Sequence, residues 1–286
     1  MKYLTTLTAA LCCLTLFGAA QSAQYAGMVM DARSGKVIYS HNADTKLHPA
    51  GLTKMMTLYI AFEAIKNGEI SERTLVSISN KAASEPPAKL GLKSGQKINL
   101  VLLIRATAIM GANDTATAIA EAISGSELAF ARRMNKTAKA LGMTQTTFKN
   151  AHGLTQTGHV STARDMTILG RQLIYGYPEY YKLFSKITDN AGVRSVRHTN
   201  RKFLRNYNGA DGIKTGYTRA AGFNIVGSAE RGTKRVIGTI FGGQTTAFRD
   251  KKMGELLDLG FKKAPNHVSI IKPPLHPGNN GLEPSL

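Results

Sequence analysis

The run Pro49-Ala50-Gly51-Leu52-Thr53-Lys54-Met55-Met56-Thr57-Leu58-Tyr59-Ile60-Ala61-Phe62-Glu63-Ala64-Ile65-Lys66 decides the fold. From about Leu52 to Lys66 it reads as a helix, closed by Asn67-Gly68. Met55, Met56, Leu58, Tyr59, Ile60 and Phe62 surround the helix axis instead of forming one stripe. A helix apolar on all sides belongs at the centre of a domain. Lys54 is the exception in its apolar surroundings, and it calls for a reason.

Upstream of this helix, Tyr25–Asp31 and Lys36–Ser40 read as two strands around the turn Ala32-Arg33-Ser34-Gly35. Downstream, Asn99–Met110 and Asp114–Ile123 read as helices meeting at Gly111-Ala112-Asn113. Ser126–Leu141 places Leu128, Ala131, Met134, Ala138 and Leu141 on one face before Gly142, and another helix follows Ser161. Asn224–Ala229 and Val236–Phe241 pattern as paired strands, and Arg249–Leu259 as a closing helix. Strands at both ends with helices between them predict one sheet built from the two termini, with a helical insertion.

The 286 residues carry 37 Lys+Arg against 18 Asp+Glu, a net charge of +19. Hydrophobic residues at 43% and charged residues at 19% exclude a wholly disordered chain. No repeat of solenoid or propeller length is present. Met1-Lys2, the apolar run Tyr3 to Ala20 and the small residues Gly18-Ala19-Ala20-Gln21-Ser22-Ala23 lay out a secretory signal peptide over residues 1–23. The expected organisation is that signal, a domain over 24–262, and an extended or disordered Pro-rich tail over 263–286. The only cysteines, Cys12 and Cys13, fall inside the signal, so the mature chain has neither disulfide nor thiolate chemistry. No later stretch is long and apolar enough to span a membrane. The expectation is an exported protein, soluble or peripheral.

Arg194, Arg197, His198, Arg201, Lys202 and Arg205 form a dense basic patch. For an exported protein, the anions within reach are headgroups, anionic polymers and wall carboxylates, and no nucleic acid is expected. Plain solvation of a basic surface explains the charge equally well.

Three spaced motifs carry the chemistry: Pro49-Ala50-Gly51-Leu52-Thr53-Lys54 at the buried helix, Met110-Gly111-Ala112-Asn113-Asp114 at a helix–helix corner, and Asp211-Gly212-Ile213-Lys214-Thr215-Gly216 before the late strands. Their order and separations resemble the Ser-x-x-Lys, Ser-x-Asn and Lys-Thr-Gly elements of penicillin-recognising serine enzymes. Glu85-Pro86-Pro87-Ala88-Lys89-Leu90-Gly91-Leu92, Asn150-Ala151-His152-Gly153-Leu154, Ser161-Thr162-Ala163-Arg164-Asp165, Tyr217-Thr218 and Ala221-Gly222 are similar to stretches of bacterial D-alanyl-D-alanine carboxypeptidases. The resemblance runs from roughly Tyr25 to Phe261. It implies an α+β fold of the β-lactamase/transpeptidase type: an antiparallel sheet covered by helices, joined to a mostly helical subdomain, with the site between them.

The resemblance also implies roles. A serine and a lysine three residues apart share one helix face. The desolvated lysine takes the hydroxyl proton, and the serine attacks the peptide carbonyl. The lysine position here is Lys54. Asn113 stands where the family positions the substrate amide. Lys214 supplies positive charge, Thr215 and Gly216 complete that motif, and Thr215, Thr218 and Arg249 meet the terminal carboxylate.

This chain departs from the pattern where it matters most. Gly51 occupies the nucleophile position, and Gly111 the serine position of the second motif. Loss of such a nucleophile costs on the order of a million-fold in turnover. Thr53, next to Lys54, points about 100° away on a helix and does not replace it.

Each surviving residue also has a plainer explanation. Lys54 pairs with a carboxylate, Asn113 caps the following helix, Lys214 is a solvated strand-edge charge, Arg249 pairs with an acid on its own helix, and His152 is a structural loop residue. No metal-ligand spacing is present, so no metal and no cofactor are expected. The first expectation is a carboxypeptidase relative, inactive or severely impaired, that still binds D-Ala-D-Ala stem peptides and takes β-lactams non-covalently at most. The alternative is a basic wall- or membrane-surface binding module with a vestigial cleft. A β-lactamase ranks last, because no Glu-x-x-x-Asn precedes Lys214 and the nucleophile is missing for it as well.

Overall fold

Alternation along Ala26–Asp31 sends Met28 and Met30 to one hydrophobic cluster and Val29 to another, the two-sided burial expected of a central strand. The computed structural model describes residues 24–274. The expected signal peptide over 1–23 and the last residues of the tail lie outside the described residues. In chain order the elements are β1 (Ala26–Asp31), β2 (Val37–His41), α1 (Lys54–Lys66), β3 (Leu75–Ser77), α2 (Asn80–Ser84), β4 (Lys97–Asn99), α3 (Leu100–Ile109), α4 (Asn113–Ser124) and α5 (Glu127–Ala140). There follow α6 (Ala163–Gly176), α7 (Pro178–Tyr181), β5 (Thr188–Asn190), β6 (Ser195–Arg197), α8 (Arg201–Asn206), β7 (Ala210–Thr218), β8 (Gly222–Arg231), β9 (Lys234–Gly243) and α9 (Thr246–Lys263).

The large sheet has the order β2-β1-β9-β8-β7, with every neighbouring pair antiparallel. Its two ends of sequence meet at β1–β9, as the strand pattern predicts. On one face, Val29, Ile225, Val236 and Ile240 pack with Met253 and Leu257 of α9. On the other, Met28, Val226, Ile237 and Phe241 join Met166, Leu169 and Leu173 of α6 and the apolar residues of α1. The α+β class expected from the sequence is therefore present, with α2 to α5 gathered in the insertion between β2 and α6.

Helix α1 is buried from Lys54 to Ala64, matching its all-round apolar pattern. A single 3-10 turn, Ala50–Thr53, leads into it, and Ala50 holds a positive φ of 49° that only a few non-glycine residues adopt. Asn224 fixes this entry: its Nδ2 donates to the carbonyls of His48 (2.9 Å) and Pro49 (3.3 Å).

Two expectations need correction. Asp211–Gly216 does not merely precede the late strands but forms most of β7, an edge strand. Asn113 does not cap α4: Ala112 is at the N-cap, and the Asn113 side chain turns away to Lys54 and the Pro86 carbonyl. The start of the expected tail runs without helix or strand as far as Pro274, where the described residues end, and it is tied to the domain: the Arg33 guanidinium donates to the Pro265 and Asn266 carbonyls, the Ile271 N–H to the Arg33 carbonyl, and Gln172 Nε2 to the Pro274 carbonyl.

Candidate functional site

The start of α1, the corner between α3 and α4, and strand β7 converge on one cleft of about 280 Å³. Gly51, Lys54, Asn113, Lys214, Thr215 and Arg249 all line it, as do Gly111, Gly216 and Thr218. Residues from all three sequence motifs are thus brought together, although about 160 positions separate the first motif from the last.

Lys54 is only 2% exposed. Its Nζ donates to Asn113 Oδ1 at 2.7 Å and to the His152 carbonyl at 2.6 Å. Among the described residues no carboxylate pairs with it, so the pairing with an acid allowed by the sequence is not formed there. Burial, reinforced by the Lys214 charge, holds this amine well below the usual lysine range. Asn113 is consumed on both sides, its Nδ2 donating to the Pro86 carbonyl at 2.9 Å. The amide therefore ties Lys54 to the 86–92 loop.

Lys214, 1% exposed, is not a solvated edge charge. Its Nζ donates to Thr199 Oγ1 at 3.3 Å, and burial together with Arg249 pushes its pKa down to about 8. Arg249 does pair with an acid on its own helix, donating Nε (2.9 Å) and Nη2 (2.7 Å) to Asp250 Oδ1. It nonetheless reaches the cleft. Thr218 Oγ1 accepts from the Thr155 hydroxyl at 3.0 Å and from the Ala221 N–H at 3.1 Å.

Both glycines stand in confined places. A Cβ built on Gly51 would lie 2.9 Å from the Thr215 carbonyl oxygen and 3.2 Å from Gly216 Cα. At Gly111, where φ is +70°, a Cβ would lie 2.9 Å from Lys214 Nζ. Thr53, the neighbouring hydroxyl, is fully buried and bonds His159 Nε2 at 2.8 Å. His159 Nδ1 accepts from the Lys149 N–H, so Nε2 carries the proton and donates to Thr53. That hydroxyl has no base beside it.

His152 was expected to be a structural loop residue, and its contacts say why. Its Nε2 lies 3.3 Å from Glu127 Oε1 and 3.5 Å from Glu85 Oε2. Among the described residues these three alone have metal-like spacing. Yet Nδ1 accepts from the Leu154 N–H at 3.1 Å, which leaves Nε2 as the protonated, donating nitrogen aimed at the two acids. Glu127 is already held by Lys81 at 2.6 Å and by the Ala151 N–H, and Glu85 by the Thr117 hydroxyl at 2.9 Å. A hydrogen-bonded network accounts for every contact. Burial holds His152 neutral, its pKa pushed down to about 4.

Sequence reasoning passed over Thr199 and Asp114. The Asp114 carboxylate accepts from the N–H groups of Leu90, Gly91 and Leu92, shaping the loop that Asn113 also holds. Its position next to Asn113 was the available signal. Thr199 offered none, because it lies in the turn between β6 and α8 and its partner Lys214 lies on β7.

Residues 17–245 match the family model described as D-alanyl-D-alanine carboxypeptidase. The chain belongs to this family. The D-alanyl-D-alanine carboxypeptidase DacC of Escherichia coli is 39% identical over 257 residues, covering 87% of this chain and 63% of that protein. Penicillin binding protein 5 of Haemophilus influenzae has a structure matching with a TM-score of 0.80 at 33% identity, over 85% of this chain and 72% of that one. Penicillin-Binding Protein D2 of Listeria monocytogenes, solved with ampicillin bound, matches with a TM-score of 0.72 at 33% identity, over 82% of this chain and 96% of that one. The chain spans about three-fifths of the length of the curated relatives it matches. The fold is the penicillin-binding, transpeptidase-type fold that the motifs implied.

Proposed function

We propose that the protein is an exported member of the family whose cleft binds the D-alanyl-D-alanine end of peptidoglycan stem peptides without being acylated by them. The observation that carries this reading is Gly51. Gly51, in the 3-10 turn that leads into α1 and three residues before Lys54, has no hydroxyl, while Lys54, Asn113, Lys214, Thr215 and Arg249 line the same cleft. In a serine-bearing relative, an amine as desolvated as Lys54 would take the hydroxyl proton. Here it has only Asn113 and the His152 carbonyl to serve, which fix the cleft's shape.

Binding uses the other residues. The peptide carboxylate sits against Thr215, Thr218 and Arg249, with Lys214 adding charge from below. Pairing with Asp250 engages Arg249 Nε and Nη2, so Nη1 is the group that turns to a ligand. β-Lactams mimic the same peptide end and bind reversibly. Export rests on the layout of residues 1–23, and the mature chain begins near Gln24.

The test is direct. The mature protein, incubated with ampicillin, keeps its intact mass, and a diacylated Lys-D-Ala-D-Ala peptide shifts its NMR spectrum without releasing D-alanine. An ampicillin adduct, or D-alanine release above background, would overturn the reading. N-terminal sequencing of the secreted protein checks the cleavage point.

A second reading is favoured by the exposed cations Arg194, Arg197, Arg201, Lys202 and Arg205 beside the cleft wall that carries Thr199. They would hold an anionic wall or membrane surface. Binding through them falls steeply with salt, whereas cleft binding falls little.

A further inference from the structure

We propose that Lys214 is a reactive amine that captures small α-keto acids in the cleft as imines. Loss of the second-motif side chain is where the argument begins. Lys214 Nζ lies 2.9 Å from the point where a Cβ of residue 111 would be, with Thr199 Cγ2 at 3.8 Å. The amine therefore stands in the space that a side chain at position 111 would claim. Among the described residues its one hydrogen bond is the 3.3 Å contact to Thr199 Oγ1, and no carboxylate pairs with it.

A lysine becomes a carbonyl nucleophile when it is desolvated and set beside other cations. Lys214 meets both conditions: it is buried, and Lys54 and Arg249 share its cleft. With its pKa pushed down to about 8, an appreciable fraction is neutral near neutral pH. Lys54 is poorly suited to the same role, because two short hydrogen bonds hold its amine in place.

The ligand class follows from the surroundings. A cleft of about 280 Å³ admits a small molecule. Thr215, Thr218 and Arg249 would take a carboxylate, a point that rests on the function proposed above. A carbonyl one carbon from that carboxylate then faces the amine, which describes an α-keto acid. Lys214 Nζ bonds to the carbonyl carbon, and the carbon–oxygen double bond opens. Both protons of the neutral amine pass to that oxygen, which leaves as water, and a C=N bond remains. No oxidant or reductant is consumed.

Pyruvate with sodium cyanoborohydride, added to the mature protein, tests the idea by trapping the imine as carboxyethyl-lysine. Peptide mapping should place the label at Lys214, saturably, and at no other lysine to a comparable extent. Arg249→Ala should slow it by about tenfold or more, the loss of one charge-assisted contact. Lys214→Arg, checked for an unchanged melting temperature, should leave only slow surface labelling. Label spread over exposed lysines in proportion to their exposure, or placed at Lys54, would overturn the proposal. The D-alanyl-D-alanine peptide separates the two readings. A peptide that binds while Lys214 stays unlabelled sinks the imine alone. A labelled Lys214 that the peptide neither protects nor approaches sinks the peptide site and leaves the amine standing.

Discussion

Gly51 and Thr215 approach so closely that a Cβ on the glycine would stand 2.9 Å from the threonine carbonyl oxygen. The contact is to backbone, in the strand that carries Lys214, so it is not relieved by turning a side chain. A Cβ on Gly216 would likewise lie 2.5 Å from Gly51 N. Restoring a serine at position 51 therefore requires β7 to recede by a few tenths of an ångström. Gly51→Ser should lower stability by about 1–2 kcal/mol, the lower part of the overpacking range, in urea unfolding. Because Lys54 is already placed, the variant should also acquire a slow covalent ampicillin adduct seen by intact mass. A variant at least as stable as the parent would show that the cleft has room to spare.

A serine at position 111 asks for more. Gly111 has φ of +70° and Lys214 Nζ in its path. Strain of this kind costs about 1–3 kcal/mol. Gly51→Ser with Gly111→Ser should then lose less stability than the sum of the single changes, since the retreat of β7 that position 51 demands also draws Lys214 away from position 111, and the two are not independent. Additive losses within experimental error would argue against a shared strand movement.

Asp114 offers a test of how the cleft is built. Its Oδ1 accepts from the Leu90 N–H and its own helix at Thr115, and Oδ2 from Gly91 and Leu92. Asp114→Asn must turn an NH2 toward N–H donors in either orientation. The expected loss is about 2–3 kcal/mol in urea unfolding, typical of bonds to a charged acceptor, with weaker peptide binding because the loop also meets Asn113. Unchanged stability would mean the carboxylate is dispensable to the loop.

How legible this was depended on which interaction did the work. Helix α1 was plain because Met55 to Phe62 can be satisfied only in a core. Ser126 and Thr162 announced their helices by capping them, each accepting from the N–H three residues on. Strand β7 was hidden for the opposite reason. Lys214 and Thr215 are polar yet buried because they line the cleft, and Asp211 pairs with Arg235 of β9, so the segment shows no apolar alternation. Asn113 read as a cap, because its real partner Lys54 lies 59 residues away, and sequence spacing carries no sign of such a bond. The tail read as free for the same reason: Arg33 and Arg171 hold it from the far end of the chain.

Three histidines set the acid limit of the fold. Burial pushes His152 down to about 4 and His159 and His198 to about 3. Their folded pKa values lie below the unfolded 6.5, so the unfolded chain binds more protons once pH drops under that value. Each histidine then removes about 1.4 kcal/mol per pH unit. Buried Glu85 and Asp211, raised by desolvation, act in the other direction and offset part of it. Unfolding on acidification should begin below pH 6.5, and His198→Asn should move its midpoint to lower pH. A midpoint unmoved by that change would mean His198 is charged in the folded state.

Lys214 acts in the same direction at higher pH. Its folded pKa of about 8 lies below the ordinary lysine value of 10.5, so the folded state must hold an unfavourable charge below pH 8. That penalty is relieved as pH rises from 8 toward 10.5. Over this window the linkage amounts to about 3 kcal/mol. Tyr25 and Tyr180, raised to about 12 by burial, begin to oppose the gain near pH 10 as the unfolded chain ionises first. The comparison that isolates Lys214 is therefore the parent against Lys214→Met. The parent should gain stability in urea unfolding between pH 8 and 9.5, and the variant should gain less, retaining only what Lys54 contributes. Parallel profiles would mean that Lys214 stays charged throughout, and that its amine is as inert as a surface lysine.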